Sequence, residues 1–375
     1  MNISINGSLL EGGGQILRNS VTLSALSGKA IHIHQIRNGR KPPGLKNQHR
    51  TGLQLAAEIA SAKLTGATNG STEIEFTPGA LKTPGDFVAD SVTAGSTTLL
   101  LQIALPLLLF ASQPSKTPSR LTLKGGTNAT HAPQIDYTEN VFLPFVRRFF
   151  GITTELQVNR RGYYPKGGGE VLFSVTPLSQ CLKSFSLLER GNVRCIKGIA
   201  HFAKLPGHIG PSMLDGAKKV LSARLAGDSS SSIPIEIQSR RERNDNTVGA
   251  GSGVVLWAEL EGGGIIGGSA VGTKGIDASL LGEKAAQDLL RGLDAGGCVD
   301  EWLEDQIIIF MALAEGDSAI LCGKGELQLH TRTAIWVAEQ LTEARFNTEQ
   351  LESGHTIIRC KGIGYRPSAS SNMPC

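Results

Sequence analysis

The chain opens on a strand, a glycine-broken turn and a helix, and no other feature constrains its fold as much. Ile3 and Ile5 alternate with polar residues, Glu11-Gly-Gly-Gly14 breaks the run, and Ile16, Leu17, Val21 and Leu23 to Leu26 then recur at helical spacing up to Gly28. Ile31 and Ile33, alternating with His32 and His34, predict a second strand. A basic loop, Arg37-Asn-Gly-Arg-Lys-Pro-Pro-Gly44, leads into a helix predicted from about Leu45 to Leu64. Strand-like Thr72–Phe76, a buried helix near 94–112, strand-like Arg120–Leu123, helical Tyr137–Phe150 and strand-like Glu170–Val175 continue the pattern. This is α/β alternation throughout the first half.

The pattern changes after about residue 187. Gly227-Asp-Ser-Ser-Ser-Ser-Ile233 and Ser239-Arg-Arg-Glu-Arg-Asn244 read as loops around a strand at Ile233–Ile237. Gly249 to Gly253 and Gly262 to Gly268 bracket an apolar strand, Val254 to Leu260. A helix with Leu280, Ala285 and Leu289 on one side closes this part near Leu293. The expectation is a separate unit at 188–295, with the chain returning afterwards to the first core. Triple-glycine turns at 12–14, 167–169 and 262–264 hint at repeated units without proving a repeat.

Composition removes several classes. The 375 residues suit two domains, and the 46 glycines follow no three-residue period, which excludes a collagen-like chain. A net charge of +4 permits an acidic substrate without demanding one. The six cysteines, at 181, 195, 298, 322, 360 and 375, show no C-x-x-C, so a reduced compartment fits better than a disulfide scaffold or a zinc site. The first residues lack the basic and apolar regions of a secretory signal, and Leu99 to Ala111 is too short to span a bilayer. A soluble intracellular protein with no membrane partner is expected. Arg240-Arg-Glu-Arg243 is too short to choose nucleus over cytoplasm, and nothing fixes an oligomeric state. Ser368–Cys375 reads as a disordered tail.

Within this frame a few positions can carry chemistry. In Glu11-Gly-Gly-Gly-Gln-Ile-Leu-Arg18 the turn leaves N–H groups free to face an anion at the positive end of a helix. For a lone glycine run, a tight turn with a capping carboxylate is the commoner outcome. Arg18 follows Glu11 by two helical turns, so both can line one cleft. Arg37, Arg40, Lys41, Lys46 and Arg50, with Gln48 and His49 among them, form the densest basic cluster. Arginine's planar fork suits phosphate oxygens, although a solvated loop accounts for the spacing equally well.

His32 and His34 share a strand face but lack a third metal ligand at an obvious spacing, so they read as strand histidines. His131, His201, His208 and His355 are expected to be structural and without partners. His330 differs: it ends the alternation Leu327-Gln-Leu-His and starts a helix marked by Ile335, Ala338 and Leu341, with Thr331 and Thr333 placed to cap its first turn. There a phosphate is stabilised and neutral imidazole is favoured, although most histidines at helix starts are structural. In Asp300-Glu-Trp-Leu-Glu-Asp-Gln306, Asp305 and Gln306 can bond a ribose or base and Trp302 offers a stacking face; an acidic helix surface with one buried Trp is the plainer alternative.

Taken together, EGGGQILR (11–18), IRNGRKPPGLKNQH (36–49), TAGSTTLLLQIALP (93–106), KGGTNATHAPQIDY (124–137), RGYYPKGGGEV (161–171), DEWLEDQIIIFMALA (300–314) and LHTRTAIWVAEQ (329–340) resemble the RNA 3′-terminal phosphate cyclase family over nearly the whole chain. The resemblance implies an α/β (α+β) core of three repeated units, each with two helices on a four-stranded sheet. It also implies an inserted smaller α/β domain at 188–295, leaving 1–187 and 296–375 as the catalytic core. By position, His330 matches the family's nucleophile, which takes AMP from ATP before passing it to an RNA 3′-phosphate. Glu11, Arg18, Arg37, Arg40 and Gln48 match positions around the ATP phosphates, the metal and the RNA phosphate, with Glu11 at the metal and Arg37 and Arg40 at the substrate phosphate. Gln102, Pro133, Trp302, Asp305 and Gln306 match nucleotide contacts. Trp302 departs from the Tyr of catalytic relatives; stacking on adenine survives that change and a phenol hydrogen bond does not. The implied partners are ATP, RNA 3′-phosphate ends and a divalent cation such as Mg²⁺.

Two relatives of this architecture act differently. A non-catalytic branch works in ribosome biogenesis as a binding protein and lacks the nucleophilic histidine. Carboxyvinyl transferases of related repeated architecture use phosphoenolpyruvate and need no covalent histidine. His330, Glu11 and Arg18 together favour the cyclase.

Overall fold

A computed structural model describes residues 2–111, 115–225 and 233–366. The loop expected at 227–232 and the tail expected at 368–375 lie outside the described residues. The first unit runs β1 (Ile3–Asn6), α1 (Gly14–Ser27), β2 (Ile31–His34), α2 (Asn47–Ile59), β3 (Lys63–Thr65) and β4 (Ile74–Thr77), with sheet order β1-β2-β4-β3. The second runs β5 (Asp86–Asp90), α3 (Thr97–Leu108), β6 (Ser119–Gly125), α4 (Ile135–Tyr137), a π-helical stretch Thr138–Phe142, α5 (Leu143–Phe150), β7 (Thr154–Arg160) and β8 (Gly169–Val175), ordered β5-β6-β8-β7.

A third unit opens with β9 (Ser186–Leu187) and is interrupted by β10 (Val193–Ala203), α6 (Ile209–Leu225), β11 (Ile235–Arg241), β12 (Gly251–Leu260), β13 (Ile265–Val271) and α7 (Ala278–Ala295). It resumes with α8 (Glu301–Leu313), β14 (Glu315–Lys324), α9 (Leu329–Leu341), β15 (Arg345–Gln350) and β16 (His355–Ile363). Its sheet order is β9-β14-β16-β15.

The three sheets share one topology. In each, the first two strands are parallel, joined across a helix, and the other two pairings are antiparallel. Sheet order in the interrupting segment differs, β11-β10-β12-β13. One face of that sheet packs with α6 and α7 into a core of its own, while Val255 and Trp257 join the main core. α6 and α7 approach closely because Gly216 and Gly282 carry no side chain: a Cβ on either would stand 2.0 Å from a carbonyl oxygen of the other helix.

Sequence and structure differ most at element ends. The helix expected over 45–64 ends at Ile59, and β3 occupies 63–65. The sequence pattern does not show β3, β5, β7, β9, β10, β13, β14, β15 or β16. β7, Thr154–Arg160, and β15, Arg345–Gln350, are largely polar, and their alternation is hidden because one face is wet. α1 is buried almost all round, since it packs against α2, α3 and α9 as well as its own sheet. The helices of the three repeats thus meet at the centre of the molecule, and the starts of several open at one end. Among the described residues no helix is long and apolar enough to cross a membrane.

Candidate active site

First turns of α1, α2, α8 and α9, with the N-terminal half of α3, line a cavity of about 840 Å³. Its walls carry Gly14 and Gln15 of α1, Gln48 and His49 of α2, Ser96 and Leu99 at the start of α3, Trp302 and Asp305 of α8, and His330 of α9. Each helix start bears partial positive charge, although Glu11, Ser96 and Asp300 already take N–H groups of α1, α3 and α8, so their convergence favours negative charge in the cavity. Glu11, Arg18, Arg37, Arg40, Gln48, Gln102, Pro133, Trp302, Asp305 and His330 all line this one cavity.

Gln306 does not. It is buried, and its side-chain amide donates to the Trp302 carbonyl beside a separate small void that also includes Asn19 and Phe310. Asp305 reaches both spaces, whereas Gln306, the next residue and about 100° further round the helix, lines only the small void.

Glu11 closes the glycine turn onto itself. Its Oε2 accepts from the Gln15 N–H at 3.4 Å, and a Cβ on Gly13 would stand 2.1 Å from Oε1. Arg40 donates to Glu11 Oε1 at 3.1 Å and to the Glu11 carbonyl at 3.0 Å, which draws the basic loop over the turn. The expected anion seat at the start of α1 therefore faces the protein's own carboxylate. Arg37 is buried, and its guanidinium donates to the carbonyls of Gly44 at 3.0 Å and Pro42 at 3.3 Å, so part of its fork holds the loop. Gln48 Oε1 accepts from the Ser96 N–H at 2.9 Å, which ties α2 to the start of α3. Thr98 donates to the Pro133 carbonyl at 2.8 Å and fixes that wall to α3.

His330 is 53 % exposed at its side chain, and its Nδ1 lies 3.9 Å from Asp305 Oδ2. Partial burial lowers its pKa; Arg18 and Arg40 add to that effect, while Glu11 opposes it. Neutral imidazole is thus favoured, with desolvation as the leading cause. Burial raises the Asp305 carboxyl to about 8 against the pull of Arg18, and burial lowers Arg18 in turn.

The expected caps are absent from α9. Gln328 stands at the N-cap without a side-chain bond, and Thr331 is buried against Glu304 of α8 rather than capping its own helix. Thr333 instead donates to the Leu329 carbonyl at 2.6 Å and accepts from the Glu11 N–H at 3.2 Å.

Several contributors were passed over in the sequence. His49 lines the cavity, takes the Lys46 N–H on Nδ1 at 3.1 Å, and is lowered to about 3 by burial and then by Arg37. Its place three residues after the N-cap was the available signal. Asp300 caps α8 through the N–H groups of Trp302 and Leu303, accepts from the Tyr137 hydroxyl at 2.7 Å and takes the Gly267 N–H at 2.6 Å. It positions Trp302 and Asp305, and no spacing announces such a junction. His131 lines the cavity rather than serving only the fold, as do Glu301 and Tyr164.

His201, expected to lack partners, is buried against Asn128, Gln134 and Tyr163, and burial lowers it to about 3. His32 lies 3.5 Å from Glu73, and His355 bonds Ser353 at 2.9 Å. The five described cysteines are free thiols.

Fold and site together define an α/β protein whose repeats bring helix starts, arginines and the half-exposed His330 into a single cleft. The family model described as RNA 3′-terminal phosphate cyclase matches residues 9–348. A curated relative in Pyrobaculum aerophilum, named RNA 3′-terminal phosphate cyclase, is 40% identical over 97% of this chain and 99% of its own. One of the same name in Drosophila melanogaster is 38% identical over 97% of each chain. A "probable" one in Dictyostelium discoideum is 39% identical over 98% of this chain and 84% of its own. The chain belongs to the RNA 3′-terminal phosphate cyclase family and is an enzyme of that family.

Proposed function

We propose that the chain uses ATP to convert an RNA 3′-terminal phosphate into a 2′,3′-cyclic phosphodiester through a covalent histidine–AMP. His330 Nε2 attacks the α-phosphorus; a P–N bond forms, the α–β anhydride bond breaks and pyrophosphate leaves. An oxygen of the RNA 3′-phosphate then attacks that phosphorus, releasing imidazole and leaving AMP joined to the RNA end as an anhydride. The neighbouring 2′-hydroxyl attacks the terminal RNA phosphorus, loses its proton, and AMP departs. Activation turns a poor electrophile into a good one, and the final attack is intramolecular within one ribose.

The observation that carries this reading is a half-exposed His330, biased toward neutral imidazole, in the same cavity as the Glu11 turn and Arg40. Arg37 and Arg40 take the substrate phosphate; Arg18 and Gln48 lie by the triphosphate; Trp302, Pro133, Gln102 and Asp305 hold the nucleoside. Gln306 supports that wall from behind. Among the described residues no group of three His, Cys, Asp or Glu could enclose a metal ion. Glu11 fits a cation held chiefly by phosphate oxygens, as Mg²⁺ commonly is, with one protein carboxylate. Such an ion would offset the charge of the triphosphate. In this reading 188–295 is a domain inserted into a catalytic core of 1–187 and 296–375, and an RNA substrate places the enzyme inside the cell, in nucleus or cytoplasm.

Incubation with α-labelled ATP and Mg²⁺ tests the proposal: acid-labile label bound to His330 supports it. A non-catalytic binding protein would acquire none.

A further inference from the structure

A base that belongs to a polymer cannot be swallowed whole, so whatever holds the RNA strand must stand at the mouth of the cavity. Tyr164 lines the cavity yet is 66% exposed, whereas Trp302, also in the lining, is half-buried. The loop that carries Tyr164 is held firmly. Tyr163 is buried, with its hydroxyl 2.9 Å from His201 Nδ1, and its carbonyl accepts from the Gly167 N–H at 2.8 Å. With Tyr163 locked inward, the next ring is left on the cavity side.

Two exposed lysines belong to the same stretch of surface. Lys166 is exposed, and its stem lies beside Gly249. Lys204, also exposed, donates to the Val248 carbonyl at 3.3 Å, and Val248 in turn packs over Gly168. The rim is therefore one surface built from the 161–168 hairpin and the 247–250 loop, and it carries an exposed aromatic ring and two exposed lysines. Single exposed aromatics are ordinary on a protein surface. An aromatic at a cavity mouth backed by lysines is the arrangement that single-stranded nucleic acid uses, bases stacking on the ring and phosphates following the charge.

We propose that Tyr164 stacks the base of the nucleotide preceding the 3′-terminal one, and that Lys166 and Lys204 guide the strand leaving the cavity. This rests on the reading of the site as one for RNA 3′-phosphate ends. The adenine of ATP is a poorer occupant, because a free nucleotide can sit deep against Trp302 and Pro133 while the attached strand must pass the rim.

The test compares a 3′-phosphorylated oligoribonucleotide with the same strand lacking the penultimate base. Stacking is worth enough that loss of the base should raise the wild-type KM about tenfold with kcat held. Tyr164→Ala should raise KM for the intact strand by a similar factor and treat both strands alike, and Tyr164→Trp should restore the preference. Equal KM for the two strands with wild-type enzyme, or an undiminished preference in Tyr164→Ala, overturns the proposal. A wild-type enzyme that cyclises neither strand instead defeats the underlying reading, a result visible without any change at Tyr164.

Discussion

The backbone N–H of Glu11 donates to the hydroxyl of Thr333 at 3.2 Å, joining the first repeat's glycine turn to the helix that carries His330. Thr333 is fully buried, and its hydroxyl also donates to the Leu329 carbonyl. Thr333→Val keeps the shape and deletes the acceptor, leaving the Glu11 N–H unsatisfied at a cost of roughly 1–3 kcal/mol. The variant should show a lower denaturant midpoint together with a reduced rate of label uptake from ATP. Wild-type values for both would separate this bond from the site.

His330→Ala should abolish self-adenylylation and cyclisation while leaving the melting temperature within a degree or so of wild type, because a half-exposed ring contributes little to the core. Residual cyclisation by a cleanly purified variant would assign the nucleophile elsewhere.

Arg40→Ala should raise KM for phosphate-ended RNA by about tenfold, the scale of one charge-assisted hydrogen bond. The same change frees Glu11 Oε1 from its one ion pair among the described residues, so dependence on the divalent cation should be measured beside it. An unchanged KM at subsaturating RNA would remove Arg40 from substrate binding.

Two pH dependences follow from the site. Imidazole attacks only when neutral, and His330 is held below its ordinary 6.5 chiefly by burial, so self-adenylylation should persist as pH falls through 6.5 and decline only beneath it. A midpoint at or above 6.5 would contradict this. Asp305 behaves in the opposite sense. With a folded pKa near 8 against an ordinary 3.8, the native state keeps a proton across this interval that the unfolded chain has released. Stability from this group therefore falls as pH rises from about 4 to 8. Asp305→Asn should raise the melting temperature at pH 8 by a few degrees, with the gain vanishing near pH 4.

The buried cluster beneath the rim should be the costliest to break. Arg161 bonds both Asp136 oxygens and reaches Glu242 at 2.9 Å. Burial alone would raise the Asp136 carboxyl, but Arg161 and then His201 hold it far below the usual range. Arg161→Ala leaves that buried carboxylate with Asn128 and the half-exposed Arg240 as hydrogen-bond partners, and should cost roughly 3–5 kcal/mol in chemical denaturation. A loss under about 1 kcal/mol would mean that water or Arg240 takes over the charge.

The α/β alternation, the glycine turn at 11–14, the basic loop and the histidine at the start of a helix were legible because each is encoded by periodicity or spacing within a few turns of chain. The polar strands β7 and β15 were not, since a sheet face left in water carries little apolar pattern. What no spacing records is which ends meet. Glu11 and Thr333 stand 322 positions apart, and they touch only because α1 packs against α9 in the shared core. That packing gathers helix starts from three repeats around one cavity, brings Asp305 but not Gln306 into its lining, and lays Arg40 on Glu11. The sequence by itself determined the local elements and the chemistry that each could offer. Which of those groups share a cleft was decided by tertiary packing, because burial and the approach of distant charges are properties of the assembled core rather than of any one segment.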